Sequence, residues 1–253
     1  MTNGKDVSSL FMDVLKNITI ESMKLKKLIY LYVMSYAKSH PDLAILGVNT
    51  FRKDAVDKSN PFLRALAVRT MGCIRIKDIV EYLCDPLKRA LKDEDPYVRK
   101  TGALCVPKMY EISPELIEKE GFLKLLKNLI NDGNATVVSN TLIALSICSE
   151  LKGEPQLELN EGMVQKLLTA MNDCNEWGVV YILDTLTGYI PKDPQEAESV
   201  MERVSSRLAH TNSAVALSSI RLIIRYMDYL SNAETIRTYN NKISAPLITM
   251  IGR

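Results

Sequence analysis

The sequence predicts an all-α protein, an α-solenoid of stacked helix pairs. Three observations lead there. First, one pattern occurs twice in residues 60–109: Pro61 is followed by Leu63, Arg64, Ala67 and Met71, and Pro96 by Val98, Arg99, Gly102 and Val106. The offsets match: +2 apolar, +3 basic, +6 small, +10 apolar. Proline in a first helical turn loses no hydrogen bond, and Asn60 or Asp95 before it can cap the free amides. Second, the register recurs from Met23, Ala135, Trp177 and Ser213, so successive starts lie 35 to 42 residues apart, room for two helices and two turns. Third, no segment shows the strict alternation of a half-buried strand.

Each helix has its own signal. The expected spans are 5–17, 22–39, 41–56, 61–74, 77–91, 96–112, 114–131, 135–151, 160–172, 177–189, 194–209, 213–230 and 233–250, about thirteen helices. Proline opens those at Pro41, Pro61, Pro96, Pro114 and Pro194, and Ser113, Asn134 and Asn212 stand at cap positions. In each repeat the +2, +6 and +10 residues share one face, and a small +6 residue lets the next helix approach closely. Lys152 to Pro155 is the clearest break, too short for a domain linker. Residues 1–253 are therefore expected to be one body of antiparallel pairs forming a right-handed curved rod.

The repeat length and the Asp-Pro-apolar-Arg start resemble HEAT or armadillo-type repeats. Longer words go further. LKKLIYLYVMSYAKSHPDLAILGVNTF, NPFLRALAVRTMGCIR, EYLCDPLKRALKDEDPYVRKTGALCVPKMY and NEWGVVYILDTLTGYIPKD resemble, in order, the amino-terminal trunk of the β-adaptins, the large β subunits of clathrin adaptor complexes. The wording is most similar to adaptors of the trans-Golgi network and plasma membrane. The resemblance implies a trunk fragment, since a family trunk begins upstream with a lysine-rich helix and continues to a hinge and ear. It also implies a scaffold in vesicle-mediated transport, cytoplasmic and peripheral on trans-Golgi or endosomal membranes, coated pits and vesicles. The implied partners are a μ subunit, a small subunit, a second large adaptin, an Arf-type GTPase, and clathrin through a hinge outside this chain. A generic HEAT-repeat scaffold, such as an import receptor or phosphatase scaffold, is the alternative.

Composition narrows the function classes. With 32 basic and 30 acidic side chains, net charge does not select nucleic acid as a partner. The five cysteines are far apart, with no metal spacing, and read as small buried hydrophobes of a reducing compartment. No apolar run approaches the roughly 20 residues of a membrane span, and MTNGKDVSSLF has no signal-peptide core.

No catalytic constellation, metal set or cofactor motif is expected. His40 and His210 each sit beside a turn, and no GxSxG, HExxH, P-loop or GxGxxG occurs. Asp93-Glu94-Asp95 lacks the ligand spacing of a calcium loop and reads as a capping turn. An enzyme with an unrecognised site would need a deep pocket of perturbed titratable groups. Arg64 and Arg99 hold one repeat position. This arginine resembles one that in HEAT-type repeats bonds an acidic residue at the neighbouring turn, here with Asp95 as the candidate; partner binding is the other reading. Lys24, Lys26 and Lys27 form a short cluster, read as a solvated face with anionic lipid as the other possibility. Trp177 reads as filler of a repeat junction, or else a protein-binding anchor.

The span 41–56 resists a purely structural reading. On a wheel of about 100° per residue, Leu43, Leu46, Gly47, Thr50 and Phe51 form a stripe, with Ile45 and Val48 about 200° and 140° from Leu43. Both are expected to be exposed, unless an adjacent helix covers them. The resemblance assigns the role: PDLAILGVNTF matches the segment by which the family's Arf-dependent members dock the GTP-bound GTPase, with Ile45 and Val48 at the contact positions.

Overall fold

The computed structural model describes residues 4–251, and among these there are fourteen α-helices and no strand. The chain divides into two compact units, residues 1–157 and 158–253. The first holds α1 (Phe11–Lys16), α2 (Met23–Tyr36), α3 (Pro41–Asp54), α4 (Pro61–Cys73), α5 (Lys77–Ala90), α6 (Pro96–Ile112), α7 (Pro114–Lys119), α8 (Phe122–Leu129) and α9 (Ala135–Lys152). The second holds α10 (Glu161–Ala170), α11 (Glu176–Thr187), α12 (Pro194–Ser205), α13 (Ser213–Met227) and α14 (Ala233–Ile251).

Each unit is a stack of helix pairs joined by short turns, the organisation of an α-solenoid. In the first unit α2, α4, α6 and α9, which begin the repeats, pack side by side, while α3, α5 and α8 form the second row. In the second unit α11 and α13 make the corresponding row. The repeat register explains the core. Val33, Met71, Val106, Leu145 and Ile223 at +10 are buried, as are Ala67, Gly102, Thr141, Leu183 and Ser219 at +6. Leu25, at +2 of the first copy, is instead exposed.

Caps fix where the helices start. Asn60 Oδ1 accepts from the amides of Phe62 and Leu63 at 3.0 and 3.2 Å. Asn134 does the same for Thr136 and Val137, and Asn212 for Ala214. Ser113 makes no such bond, whereas Asn160, Asn175 and Asp193 do. The span expected over 114–131 is two helices, because Gly121 takes a left-handed φ of 73° and ends the first. The span expected over 5–17 shortens to a 3₁₀ turn and α1; the Asp6 carboxylate accepts from Ser8 N and Oγ, a local turn that competes with helix.

Small residues set the spacing between helices, both across the rows and within one. A Cβ on Gly102 would meet Ala90 at 3.3 Å. The closest approach is at Gly72 on α4, where a Cβ would lie 2.8 Å from both Cβ and Sγ of Cys105 on α6. Burial pushes the thiols of Cys105 and Cys148 up to about 12 and that of Cys84 to about 11. They are inert packing residues at neutral pH.

Candidate functional site

The helix α3 carries the expected docking residues, and the structure divides them. Ile45 is 40 % exposed, but Val48 is buried at 3 %. Leu46, expected in the packing stripe, is 59 % exposed. The buried arc is Ala44, Gly47, Val48, Phe51, Asp54 and Ala55. The buried face is therefore centred nearer Val48 than Leu43: Leu43 is half-buried at its edge, Leu46 lies outside it and Val48 inside. Two contacts turn the helix this way. Gly47 lies against Leu15 and Ile18, so a Cβ there would be 3.3 Å from each, and Phe51 packs edge-on to Tyr30 at 4.8 Å between centroids. What remains outward is Pro41 and Asp42, then Ile45 and Leu46, followed by Asn49, Arg52 and Lys53, with Val56 beyond the helix end.

Asp54 is the polar end of that buried arc. Its carboxylate accepts from Lys26 Nζ at 2.6 Å and from the Tyr30 hydroxyl. The basic cluster of the sequence is thereby broken up: Lys26 is buried and paired, and only Lys24 and Lys27 face solvent. Burial, with the bond to Asp54 next, pushes the Tyr30 hydroxyl far above its ordinary value.

The repeat position of Lys26 is also that of Arg64 and Arg99, and the three form a ladder. Each reaches a carboxylate 28 to 33 residues further on. Arg64 donates through Nε and Nη2 to the two oxygens of Asp93 at 2.8 and 2.7 Å, and through Nη1 to the carbonyl of Asp57 at 2.9 Å. Arg99 repeats this on Asp132 at 2.7 and 3.0 Å and on the carbonyl of Asp93 at 2.8 Å. Each guanidinium so ties the turn of its own repeat to the turn of the next. The bond to Asp93 holds Arg64 above its ordinary pKa, and Asp132 does the same for Arg99. Asp95 is not a rung: its carboxylate accepts from Tyr97 N at 2.7 Å and caps α6, while Asp93 faces the arginine. At the next copy the position is Val138, buried, and the ladder ends.

The other singled-out residues resolve as follows. Trp177 is 70 % exposed and fills no junction, because α11 buries Gly178, Val179, Ile182, Leu183 and Leu186 and its first turn points the indole outward. His40 stacks near Phe11, 5.1 Å between centroids, and His210 Nδ1 accepts from Asn212 N. Among the described residues no group of three or more His, Cys, Asp or Glu gathers as a metal site, and no helix is long and apolar enough to cross a membrane. Surface grooves mark the first unit. Such a surface can bind and position.

The family profile described as the adaptin N-terminal region covers residues 1–251. The chain belongs to the adaptin family. This adaptin is 52 % identical over 253 residues to the AP-1 complex subunit beta of Dictyostelium discoideum, covering 100 % of this chain and 27 % of that one. It is 53 % identical to the AP-1 complex subunit beta-1 of Homo sapiens, with coverage of 99 % and 27 %. It is 36 % identical to the AP-2 complex subunit beta of Schizosaccharomyces pombe, with coverage of 99 % and 37 %. The adaptin chain thus spans about a quarter to two fifths of the length of these relatives. Among solved structures, one described as an engineered protein is similar in fold, with a TM-score of 0.55, 13 % identity, and coverage of 86 % of this chain and 98 % of that one.

Proposed function

We propose that this adaptin is a non-enzymatic scaffold subunit of a clathrin-associated adaptor complex in vesicle-mediated protein transport. Its helix rows bind the other subunits: a μ chain, a small chain and a second large adaptin. The outer face of α3, centred on Ile45, docks an Arf-type GTPase in its GTP state, and the protein works peripherally on membranes that carry that GTPase. Clathrin is engaged through a hinge outside this chain. The observation that supports docking is the exposed pair Ile45 and Leu46, next to Arg52 and Lys53, on a helix whose other side is fixed by Val48, Phe51 and Asp54. Interface energy concentrates in a few central apolar anchors, and a rigid helix presents them without an ordering cost. A GTPase switch surface is ordered only with the γ-phosphate in place, so recruitment becomes conditional on the active, membrane-bound form.

The test is capture of the chain on immobilised Arf-type GTPase loaded with a non-hydrolysable GTP analogue or with GDP. Capture by the GTP form alone is the expected result. Equal capture by both forms, or by neither, contradicts the reading.

A further inference from the structure

Acidic side chains are sparse on three neighbouring helices of the first unit. The helices α2 and α4 contain no aspartate or glutamate, and α6 contains only Glu111, which pairs with Arg75. The same three helices carry Lys24, Lys27, Arg69, Lys100 and Lys108 besides the cations of the ladder. Over the whole chain acids nearly equal bases, so the acids lie in the turns and the other helices.

A groove of 410 Å³ runs across these helices. Such a volume falls within the roughly 300–1,000 Å³ of sites that hold small ligands or a few side chains. Its floor is Ala65, Leu66 and Thr70. Its walls are apolar: Phe62 is 60 % exposed, Leu31 is 40 % exposed, and Phe62 meets Tyr97 edge-on at 5.3 Å between centroids. Lys27 and Arg69 stand on its rim, both exposed, and no ion pair among the described residues involves either. Lys100 sits 4.8 Å over the Tyr97 ring. The groove therefore joins an apolar, partly aromatic trough to unpaired cations and lines it with no carboxylate.

We infer that this groove binds a short acidic peptide segment, an apolar side chain in the trough flanked by carboxylates that meet Lys27 and Arg69. Two features favour a peptide over an anionic lipid surface. A headgroup site needs cations without an apolar trough beside them, and an extended membrane contact needs them on a flat face. Opposite charge at the rim sets orientation and partner choice, and the apolar anchor supplies the affinity. This surface is separate from the outer face of α3, so the two proposals stand or fall independently.

The chain is immobilised and panned with phage displaying random dodecapeptides, and synthetic copies of the recovered sequences are titrated. The expected result is a set of peptides with Asp or Glu on both sides of Leu, Ile, Met or Phe. Their affinity falls at least tenfold with the double substitution Lys27→Glu and Arg69→Glu, falls likewise with Phe62→Ala, and weakens with added salt. Both cations are exposed, so the double variant is expected to melt as the parent does. If it unfolds, Lys27→Gln with Arg69→Gln must give the same loss. Recovered peptides without carboxylates, or acidic peptides indifferent to these substitutions, overturn the proposal. So does binding to phosphatidylserine vesicles that disappears in the double variant while no peptide depends on the groove, since that assigns the cations to a lipid surface.

Discussion

Arg64 holds Asp93 through two parallel hydrogen bonds, 29 residues further along the chain. The same Asp93 accepts from Asp95 N at 2.9 Å, and its carbonyl receives Arg99. One turn thus receives the guanidinium of the repeat before it and anchors the guanidinium of its own. A bidentate pair of this kind is directional, so it fixes the rotation of one repeat on the next as well as adding energy.

Removing one partner of this pair leaves a largely buried charge alone. Arg64→Ala is expected to lower unfolding stability by about 3 kcal/mol or more. Asp95→Ala removes only a helix cap and should cost about 1 kcal/mol. Urea unfolding of both variants checks the ranking, and equal losses would show that the ladder adds no more than a helix cap.

Gly72 sets the separation of α4 and α6. Gly72→Ala forces its Cβ into Cys105 and should cost about 1–3 kcal/mol by overpacking. Adding Cys105→Ala removes the obstructing sulfur and should recover part of the loss. A stability unchanged by Gly72→Ala would mean α4 and α6 separate freely.

Acid should weaken the fold through carboxylates held below their ordinary values. The Ser59 hydroxyl and the amides of Asn60 and Ser59 lower Asp57, and the Tyr110 hydroxyl and then Lys152 lower Glu118. A depressed carboxylate stabilises fully above its unfolded pKa of about 4, and that contribution fades as pH falls through the lower folded value. The urea midpoint should therefore drop on going from about pH 5 towards pH 3, and Asp57→Asn should flatten that drop. An identical pH slope in the variant would contradict the assignment.

Much of this was legible from residue order. Helix starts follow from Asn or Asp before proline, because the cap and the fixed φ are local chemistry. The ladder position was visible as a repeated arginine, but its partner was not. Asp93 and Asp95 differ only in which way the turn directs them, and the backbone decides that: Asp95 bonds the first turn of α6 and leaves Asp93 to Arg64. Lys26 failed as part of a surface cluster because its partner, Asp54, lies on another helix. Val48 failed for a related reason. A wheel shows which residues share a face but not where that face is centred, and here Gly47 against Leu15 and Ile18 sets the centre. The split of 114–131 could have been read from Gly121, the residue type that tolerates a left-handed φ at a helix end.

The buried and exposed halves of α3 give opposite outcomes for one substitution type. Val48→Asp puts a charge into a closed core and should unfold the first unit, seen as loss of its cooperative melt.

Ile45→Asp is the most direct measurement of the central claim, that the outer face of α3 docks a GTPase while its inner face holds the fold. The variant is titrated with Arf-type GTPase carrying a GTP analogue, and its thermal melt is recorded beside the parent chain. The account predicts a melt within about 0.5 kcal/mol of the parent and a loss of binding of roughly 2 kcal/mol or more, about thirtyfold in Kd. A variant that melts normally and binds as the parent does would contradict it.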